Sequence, residues 1–470
     1  MKKTLLLFAA TIVLTSACMA QKLDRSIKPT PGPAPIIVFK DPYIYKLPNG
    51  ITLLVVEDHD IPKISANYII DAGPVSEGNK AGVLELLSGM LNEGTTTLTK
   101  VQFSTSIERM GSEVSLNSSG GSVSALTRFF PKSFSLFAQG MRNPAFTASS
   151  LEKLKTAKLT DLKADERNGP GISAKLVNAL AYGTTHPYGE FPTEASVSKI
   201  QLADISAMYR KYITPSRGYL TIIGDITNEE AKALAIKAFG DWKGSILKLP
   251  VLTTVPSPFK TEMDVVDLPN LVQSEITLIN LINLQISNPD YHAVLLANEI
   301  LGGSPDSRLF RNLRERHGFT YGAYSSVGAG RYQSTFKASA SVRNEKVDSA
   351  VVEILNEVNL MRSEPVNKDV LQDAKNLYNG SFALGLETPG RSATLATNIL
   401  LNNLSKDFYR TYLQKINAVT PADILRVSKK YFTVDNSRVV VVGNAQIGPE
   451  VKKLGFPVKH FTTNAAAINN

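Results

Sequence analysis

The sequence contains very little cysteine and histidine. Its 470 residues include one cysteine and five histidines. A single cysteine cannot form a disulfide within the chain, and it excludes structural zinc sites built from several thiolates. The histidines occupy positions 59, 186, 292, 317 and 460. None of them has a second histidine one helical turn away, so a zinc site built on two histidines of one helix is also excluded.

Other common functional signatures are absent too. After residue 20, no run of residues approaches the ~20 apolar positions that a membrane-spanning helix needs. The formal net charge is +9, without a basic stripe that carries interleaved aromatic residues, which disfavours nucleic-acid binding. Neither Gly-x-Ser-x-Gly nor Gly-x-x-x-x-Gly-Lys occurs, which disfavours an α/β-hydrolase and a phosphate-binding loop.

The first twenty residues have the pattern of a secretory signal peptide. Two lysines precede a short apolar run, and small residues follow it. Cleavage after Ala20 would leave Gln21 as the new N-terminus. We therefore expect a periplasmic or secreted protein.

Lipidation of Cys18 is the alternative way to process this segment. The residues before Cys18 form an imperfect lipoprotein box, in which Thr15 replaces leucine. We favour cleavage after Ala20 for that reason. Contact with a membrane would require the lipidated form.

A helix followed by a strand occurs twice, 219 residues apart. The first copy runs from Leu202 to Gly224 and the second from Pro421 to Gly443. Seven identities fall in one register between the two copies, at Ala, Asp, Ile, Lys, Tyr, Thr and Gly. A helix and a strand are common neighbours, but that alone does not explain seven identities. The repeat predicts two related halves.

The composition along the chain places the boundaries of these halves. Residues 21–37 are polar and contain four prolines, and three more prolines occur between positions 247 and 260. We predict a signal peptide at 1–20, an extended tether at 21–40, a first domain at 41–246, a linker at 247–260, a second domain at 261–450 and a tail at 451–470.

Four segments, taken in order, carry a family resemblance. Together they resemble the insulinase-like metallopeptidases of family M16, which includes the mitochondrial processing peptidase. The resemblance covers residues 43–444. The segments are Leu47–Gly50 before a strand, the helix Gly82–Met90 leading into Asn92–Thr95, His186–Gly189, and the block Ser307–Tyr321.

This resemblance implies an α+β fold. It would consist of two tandem, similar α/β-roll domains, each an antiparallel-rich sheet packed by helices, in a clam-like, processing-peptidase-like arrangement.

The family's zinc motif, His-x-x-Glu-His, is missing from this chain. Aligned on Gly82 and Gly94, the two histidine positions are Glu85 and Gly89, and the position of the catalytic base is Ser88. Glycine has no side chain that could bind a metal, and serine cannot act as a carboxylate base. The family's third ligand would lie near residues 161–163, where Asp161 is the closest substitute. We predict no metal and no other cofactor in this chain.

The family's second-domain signature is present. Arg314 and Tyr321 stand seven residues apart, and the resemblance implies that they act as the arginine and tyrosine that reach the zinc from the second domain. A tyrosine hydroxyl can donate a hydrogen bond to the oxyanion of a tetrahedral intermediate. The alternatives are a solvated arginine and a tyrosine half-buried at the start of a strand from 321 to 327. We favour the catalytic interpretation.

Gly302 and Gly303 precede this signature. The resemblance makes them a candidate substrate-contacting loop, shorter than the loop of the processing peptidase's non-catalytic subunit. The alternative is that Gly302 is the left-handed cap that ends a helix from Tyr291 to Leu301, and we favour it.

These features together indicate a divided enzyme. We expect an M16-family subunit without its own zinc motif, inactive alone, that supplies Arg314 and Tyr321 in trans to a zinc-bearing homologous partner. The pair would hydrolyse unfolded peptides, each bound as an added strand at a sheet edge. The alternative is a catalytically inactive peptide-binding or scaffold subunit of an envelope complex.

Overall fold

The computed structural model describes residues 41–444 and 447–468, apart from the side chain of Pro389. The predicted signal peptide and tether at 1–40, including Cys18, lie outside the described residues. Within them, no helix is both long and apolar enough to cross a membrane.

The strands are short and rich in β-branched residues, as half-buried strands usually are. They are β1 (Tyr43–Lys46), β2 (Thr52–Glu57), β3 (Lys63–Ile70), β4 (Glu113–Asn117), β5 (Gly120–Leu126), β6 (Gly218–Gly224), β7 (Glu262–Asp267), β8 (Gln273–Ile282), β9 (Ala323–Val327), β10 (Ser334–Arg343), β11 (Arg438–Gly443), β12 (Val458–Phe461) and β13 (Ala467–Ile468).

The α-helices range in length from 3 to 19 residues. They are α1 (Val83–Met90), α2 (Lys100–Glu108), α3 (Phe130–Arg142), α4 (Ala148–Ala164), α5 (Gly169–Tyr182), α6 (Glu194–Ser198), α7 (Leu202–Tyr212), α8 (Asn228–Phe239), α9 (Tyr291–Asn298), α10 (Arg308–Phe310), α11 (Val347–Ser363), α12 (Lys368–Leu386), α13 (Pro389–Asn402), α14 (Tyr412–Ala418), α15 (Pro421–Tyr431) and α16 (Gly448–Lys453).

The strands form two sheets, of six and seven strands, in which five strands have equivalent topology. The first has the order β1-β2-β6-β3-β5-β4 and the second the order β13-β12-β7-β11-β8-β10-β9. In each sheet the last strand of the repeat, β6 or β11, is inserted between two earlier strands and runs parallel to one of them. The mixed α+β fold class predicted from the sequence is confirmed.

The sequence repeat coincides with this structural equivalence. Helices α7 and α15 and strands β6 and β11 are related by the same spacing of 219 residues. Both helices begin with a capping box, in which the side chain at the third helical position accepts a hydrogen bond from the backbone of the cap residue. The two halves are therefore copies of one folding unit.

Each half covers part of the other half's sheet with a helix. The buried side chains of α5 pack on Val440 and Val442 of the second sheet. Their neighbours Val439 and Val441 point to the opposite face and belong to that sheet's main core. In return, α13 lies on β2 and β6 of the first sheet, where Thr397 Oγ1 is 3.3 Å from Thr221 Oγ1.

Helices α5 and α13 are themselves related by the repeat. Pro170 and Gly171 near the start of α5 correspond to Pro389 and Gly390 near the start of α13, again 219 residues apart. The exchange of helices is therefore symmetric, and it joins the two halves by apolar packing.

An ion-pair network also joins the halves. Asp71, at the end of β3, has a buried carboxylate that accepts hydrogen bonds from Arg217 and Arg331. Arg331 comes from the second half, and its Nη2 also donates to the carbonyl oxygen of Leu401. One carboxylate thus holds two guanidinium groups, one from each half.

We expect Asp71→Asn to lower the free energy of unfolding. The neutral amide would leave Arg217 and Arg331 close together without a counter-charge, at a cost on the order of 3 kcal/mol, the low end for buried pairs because both guanidiniums are about a third exposed. Urea denaturation would measure the loss. Asp41→Asn, at an exposed carboxylate paired with Arg410, is the matched control with an expected effect under about 1 kcal/mol.

Candidate functional site

Helix α1 contains the three positions that the resemblance assigns to the zinc motif. It begins after Gly82, which adopts the left-handed conformation with φ of 104°. The carboxylate of Glu77 accepts hydrogen bonds from the backbone N–H groups of Gly82 and Leu84, at 3.0 and 2.9 Å. The apolar face of α1 is buried in the first core. The three positions of the degenerate motif lie outside that face.

The first histidine position carries an ion pair. Glu85 Oε1 is 2.7 Å from Lys158 Nζ, which projects from α4. The ammonium group therefore bridges α1 and α4 at the place where the family resemblance puts a metal ion. Asp161, the closest predicted substitute for the third ligand, is exposed one turn further along α4.

The base position is occupied by a structural serine. Ser88 Oγ donates to the carbonyl oxygen of Leu84 at 2.8 Å and accepts from the backbone N–H of Ser118 at 2.9 Å. It also lies 3.1 Å from Ser118 Oγ. These contacts tie α1 to the end of β4, and they leave Ser88 without the carboxylate chemistry of a general base.

The second histidine position is closed by packing. A Cβ atom added at Gly89 would lie 3.0 and 3.1 Å from the two terminal methyl groups of Leu154 on α4. Leu154 thus fills the space that a side chain at residue 89 would need. Among residues 41–444 and 447–468, no group of three or more His, Cys, Asp or Glu side chains is arranged to hold a metal ion.

The segment after α1 also covers part of the edge of the first sheet. Just after α1, the Asn92 carboxamide donates to the carbonyl oxygen of Leu116 at 2.8 Å and accepts from its N–H at 3.2 Å. Leu116 lies in β4, the edge strand, and these two groups face away from β5. Asn92 therefore occupies a backbone position at which an added strand would pair, and Ser88 bonds the turn that follows β4. The sequence analysis did not identify Asn92.

Arg314 lies on an exposed turn of the second half. It follows α10 in a π-helical turn, Arg311–Arg316. Its guanidinium carbon lies 4.8 Å from the centroid of the Phe310 ring, a cation–π geometry. Among the described acidic groups, none forms an ion pair with Arg314. The side chain is thus positioned by an aromatic ring and keeps its hydrogen-bond donors free.

Tyr321 is exposed, with 83% of its surface accessible. The expectation that it opens a strand was wrong, because β9 begins at Ala323 and Tyr321 lies in the preceding bend. The alternative of half-buried strand packing is therefore wrong as well. A tyrosine this open to solvent contributes little to the core, and its hydroxyl is accessible to a second molecule.

Two aromatic residues near this pair were not identified from the sequence. The Phe310 ring is 94% buried and its centroid lies 5.7 Å from that of Tyr324, which is 45% exposed. Phe310 therefore contacts both Arg314 and Tyr324. Phe310 is visible in the sequence, but a phenylalanine in a short helix usually belongs to the core, so its contact with Arg314 could not be inferred.

The rest of the signature is structural. Arg308 Nε donates to Glu357 Oε2 at 2.7 Å, and Asn312 Nδ2 donates to Glu357 Oε1 at 2.7 Å. Glu357 is buried on α11. This network anchors the signature segment, so that Arg314 projects from a fixed support.

The prediction of a left-handed cap at Gly302 was wrong. Helix α9 ends at Asn298 and continues as a π-helical turn, Glu299–Gly303, in which Gly302 has φ of −163°. A Cβ atom at Gly302 would lie 2.3 Å from the backbone nitrogen of Ser325 in β9. Glycine is needed there because two backbone segments pack closely. Gly303 is exposed beside it, so a substrate loop formed by both glycines does not fit the packing.

The predicted site residues of the first half are not in direct contact with those of the second half. Within the described chain, no hydrogen bond, ion pair or ring contact links Arg314 or Tyr321 to Glu85, Ser88 or Gly89. His186 lies in a turn, where its ring stacks on that of Tyr182 with the ring centroids 5.0 Å apart. Arg314 and Tyr321 thus make no direct contact with the degenerate zinc motif on α1.

Comparison with known protein families matches both halves. Residues 53–188 match the model described as Insulinase (Peptidase family M16), and residues 199–378 match the model described as Peptidase M16 inactive domain. A Bacillus subtilis (strain 168) protein named Uncharacterized zinc protease YmxG is 22% identical over 423 residues, which cover 84% of this chain and 97% of that protein. A Helicobacter pylori (strain ATCC 700392 / 26695) protein named Non-peptidase homolog YmxG is 23% identical over 385 residues, 79% of this chain and 87% of the relative.

Solved structures with the same fold were also found. The peptidase M16 inactive domain from Pseudomonas fluorescens superposes with a TM-score of 0.77 at 22% identity, covering 86% of this chain and 98% of that one. A protease from Helicobacter pylori gives a TM-score of 0.77 at 19% identity, covering 85% and 98%. At these identities the likeness establishes the fold.

Proposed function

This chain belongs to the insulinase-like peptidase family M16, and from that premise we propose that it is the zinc-free subunit of a two-chain peptidase. Its partner would be a homologous subunit that carries His-x-x-Glu-His and binds the zinc. The pair would hydrolyse unfolded peptides. This chain would need no metal or other cofactor of its own.

The observation that carries the proposal is the contrast between the two halves. In the first half, Leu154 fills the space at Gly89 and Lys158 pairs with Glu85, so the position of the zinc motif is closed. In the second half, Arg314 and Tyr321 stay exposed. Loss of one set of groups with retention of the other is expected if the chain assists a metal bound elsewhere.

The side chains define what this subunit would contribute. The Tyr321 hydroxyl would donate a hydrogen bond to the oxyanion that forms when water attacks the scissile peptide bond. Arg314, held against Phe310, would offer its planar fork to a peptide carbonyl or to the C-terminal side of the substrate. The partner's zinc would supply and activate the water.

The closed edge of β4 limits where the peptide would bind. Asn92 already pairs with the outward backbone groups of Leu116. We therefore place the added peptide strand on the partner's sheet edge, with Arg314 and Tyr321 contacting it from the other side. A signal peptide at residues 1–20 would direct this subunit to the periplasm or outside the cell, where it would meet its partner.

We expect the isolated chain to show no peptidase activity. Mixing it with a homologue that carries His-x-x-Glu-His should give hydrolysis of an unfolded fluorogenic peptide, abolished by a zinc chelator. Co-elution on size-exclusion chromatography would report the complex independently of activity. Chelator-sensitive hydrolysis by the isolated chain would contradict the proposal.

The alternative is a peptide-binding or scaffold subunit without a catalytic role. The closed position of the zinc motif favours it as well, because a scaffold has no need of that site. It gives no reason for an exposed Tyr321 beside a preserved Arg314. Replacing Tyr321 in the reconstituted pair therefore separates the two functions.

A further inference from the structure

A cavity in the helical layer of the second half is unrelated to Arg314 and Tyr321. Its volume is about 570 Å³, within the range usual for small-molecule sites. It lies between the start of α9, the segment after α13, and helices α14 and α15. The lining residues used below are His292, Leu404, Phe408, Lys415, Val419 and Arg426.

A buried histidine without a hydrogen-bond partner lines this cavity. His292 is 6% exposed, and its Nε2 has no partner among the described residues. Burial, together with the nearby charge of Lys415, lowers the pKa of His292 to about 4. The ring is therefore neutral at physiological pH, and it has an unsatisfied polar group of the kind that a ligand can satisfy.

The cavity also contains a cation without an ion-pair partner. Lys415 lies with its Nζ 5.4 Å from the centroid of the Phe408 ring, and no acidic group among the described residues pairs with it. The hydrogen bond from Ser405 and, less strongly, the charge of Lys415 lower the pKa of Asp407.

The second cation of the lining is already neutralised. Arg426 Nη1 donates to Asp290 Oδ1 at 2.5 Å, and Lys430 and Tyr431 donate to the other oxygen of the same carboxylate. Despite its burial, these three donors lower the pKa of Asp290 to about 2. Arg426 also pairs with Asp423, the carboxylate of the lining, at 3.4 Å. Lys415 is therefore the cation of the lining that has no ion-pair partner among the described residues.

The remaining surface is apolar. The Phe408 ring is buried and packs against the rings of His292 and Tyr412, with Leu404 and Val419 beside it. A ligand that fits this surface has an apolar group of a few carbons and one negatively charged end. An inorganic anion would satisfy Lys415 and leave the apolar wall unfilled.

We propose that this cavity binds an amphiphilic monocarboxylate. One carboxylate would accept a hydrogen bond from Lys415 Nζ and, once the His292 ring turns to expose its buried Nε2–H, a second one from that group. The apolar group would pack on Phe408, Leu404 and Val419. Two sources share this chemistry, namely a free aliphatic acid and the C-terminal residue of a peptide that ends in an apolar side chain. The inference is independent of the proposed peptidase role.

The test is calorimetric titration of the full mature chain with four probes. These are hexanoate, hexanamide, acetyl-Ala-Leu with a free carboxylate, and the same dipeptide as its amide. We expect at least one acid to bind at millimolar concentration or below, and its neutral amide to bind about tenfold more weakly, as loss of a charge-assisted hydrogen bond predicts. Whichever acid binds more tightly identifies the source.

Two variants and one control complete the test. Lys415→Met removes the charge at an exposed position and should weaken acid binding about tenfold. His292→Phe keeps a buried ring and should also weaken it, with thermal denaturation showing that the variant is folded. Lys429→Met, at an exposed lysine of α15 outside the cavity, should change nothing. No saturable binding of either acid, equal binding of acid and amide, or unchanged binding by Lys415→Met would overturn the proposal.

Discussion

In the reconstituted pair, Tyr321→Phe should lower kcat by roughly 10²–10³-fold, the effect of removing one oxyanion donor. The phenyl ring keeps the shape of the side chain, and the hydroxyl is the only group lost. Tyr321 is 83% exposed in the isolated chain, so its removal should leave the thermal stability of this subunit unchanged. The expected change in KM is small, because the hydroxyl contacts the intermediate more strongly than the substrate.

Tyr324→Phe is the matched control for that experiment. Tyr324 is an exposed tyrosine three residues away, in contact with the Phe310 ring that also supports Arg314. It removes the same hydroxyl from the same surface, and we expect nearly wild-type kcat. Unchanged turnover by Tyr321→Phe, with the complex intact, would instead support the scaffold function.

The local elements of this fold were predictable from the sequence because their signals are local. The apolar periodicity of α1 and the alternation in β3 are complete within about ten residues. The repeat around Asp204 and Asp423 indicated two equivalent halves, and the two residues accept the same capping hydrogen bond in the equivalent helices α7 and α15. These features need no knowledge of which segments meet in space.

The exchange of helices was not predictable in that way. The apolar face of α5 indicates a buried helix, but nothing in its pattern shows that it packs on Val440 and Val442 of the other half. The same holds for Asp71, whose partner Arg331 lies 260 residues away. Long-range pairings of this kind depend on topology. The sequence pattern shows which face of an element is buried, but not which element it packs against.

The sequence identified the residues of the candidate site, but it predicted their packing, hydrogen bonds and exposure only in part. Family spacing selected Glu85, Ser88 and Gly89, but the groups that close their surroundings, Leu154 and Lys158, lie in a helix with weak apolar periodicity. The hydrogen bonds of Asn92 to β4 join a side chain to a backbone, and such contacts leave no pattern in the sequence. The exposure of Tyr321 likewise depended on where β9 begins.

Restoring the zinc motif should fail for reasons visible in these contacts. In the variant Glu85→His, Ser88→Glu and Gly89→His, the new side chain at residue 89 meets Leu154, and Lys158 places a positive charge where the metal would bind. We expect the purified variant to contain no stoichiometric zinc by metal analysis. Tight zinc binding by this variant would show that α4 does not close the site.

The crowding at residue 89 can be measured by itself with a double-mutant cycle. We expect Gly89→His to reduce the free energy of unfolding by about 1–3 kcal/mol, because the imidazole must displace Leu154 from its packed position. Leu154→Ala removes that obstacle. In the wild-type background it should destabilise, since it deletes packing between α1 and α4, whereas in the Gly89→His background it should cost much less or stabilise. The coupling energy between the two substitutions should reach about 1 kcal/mol or more in urea denaturation.

Gly89→Ala is the control, because a single methyl needs Leu154 to move by only a few tenths of an ångström. Strict additivity would mean that Leu154 does not fill the vacant ligand position, and the argument for a zinc-bearing partner would then lose its structural basis.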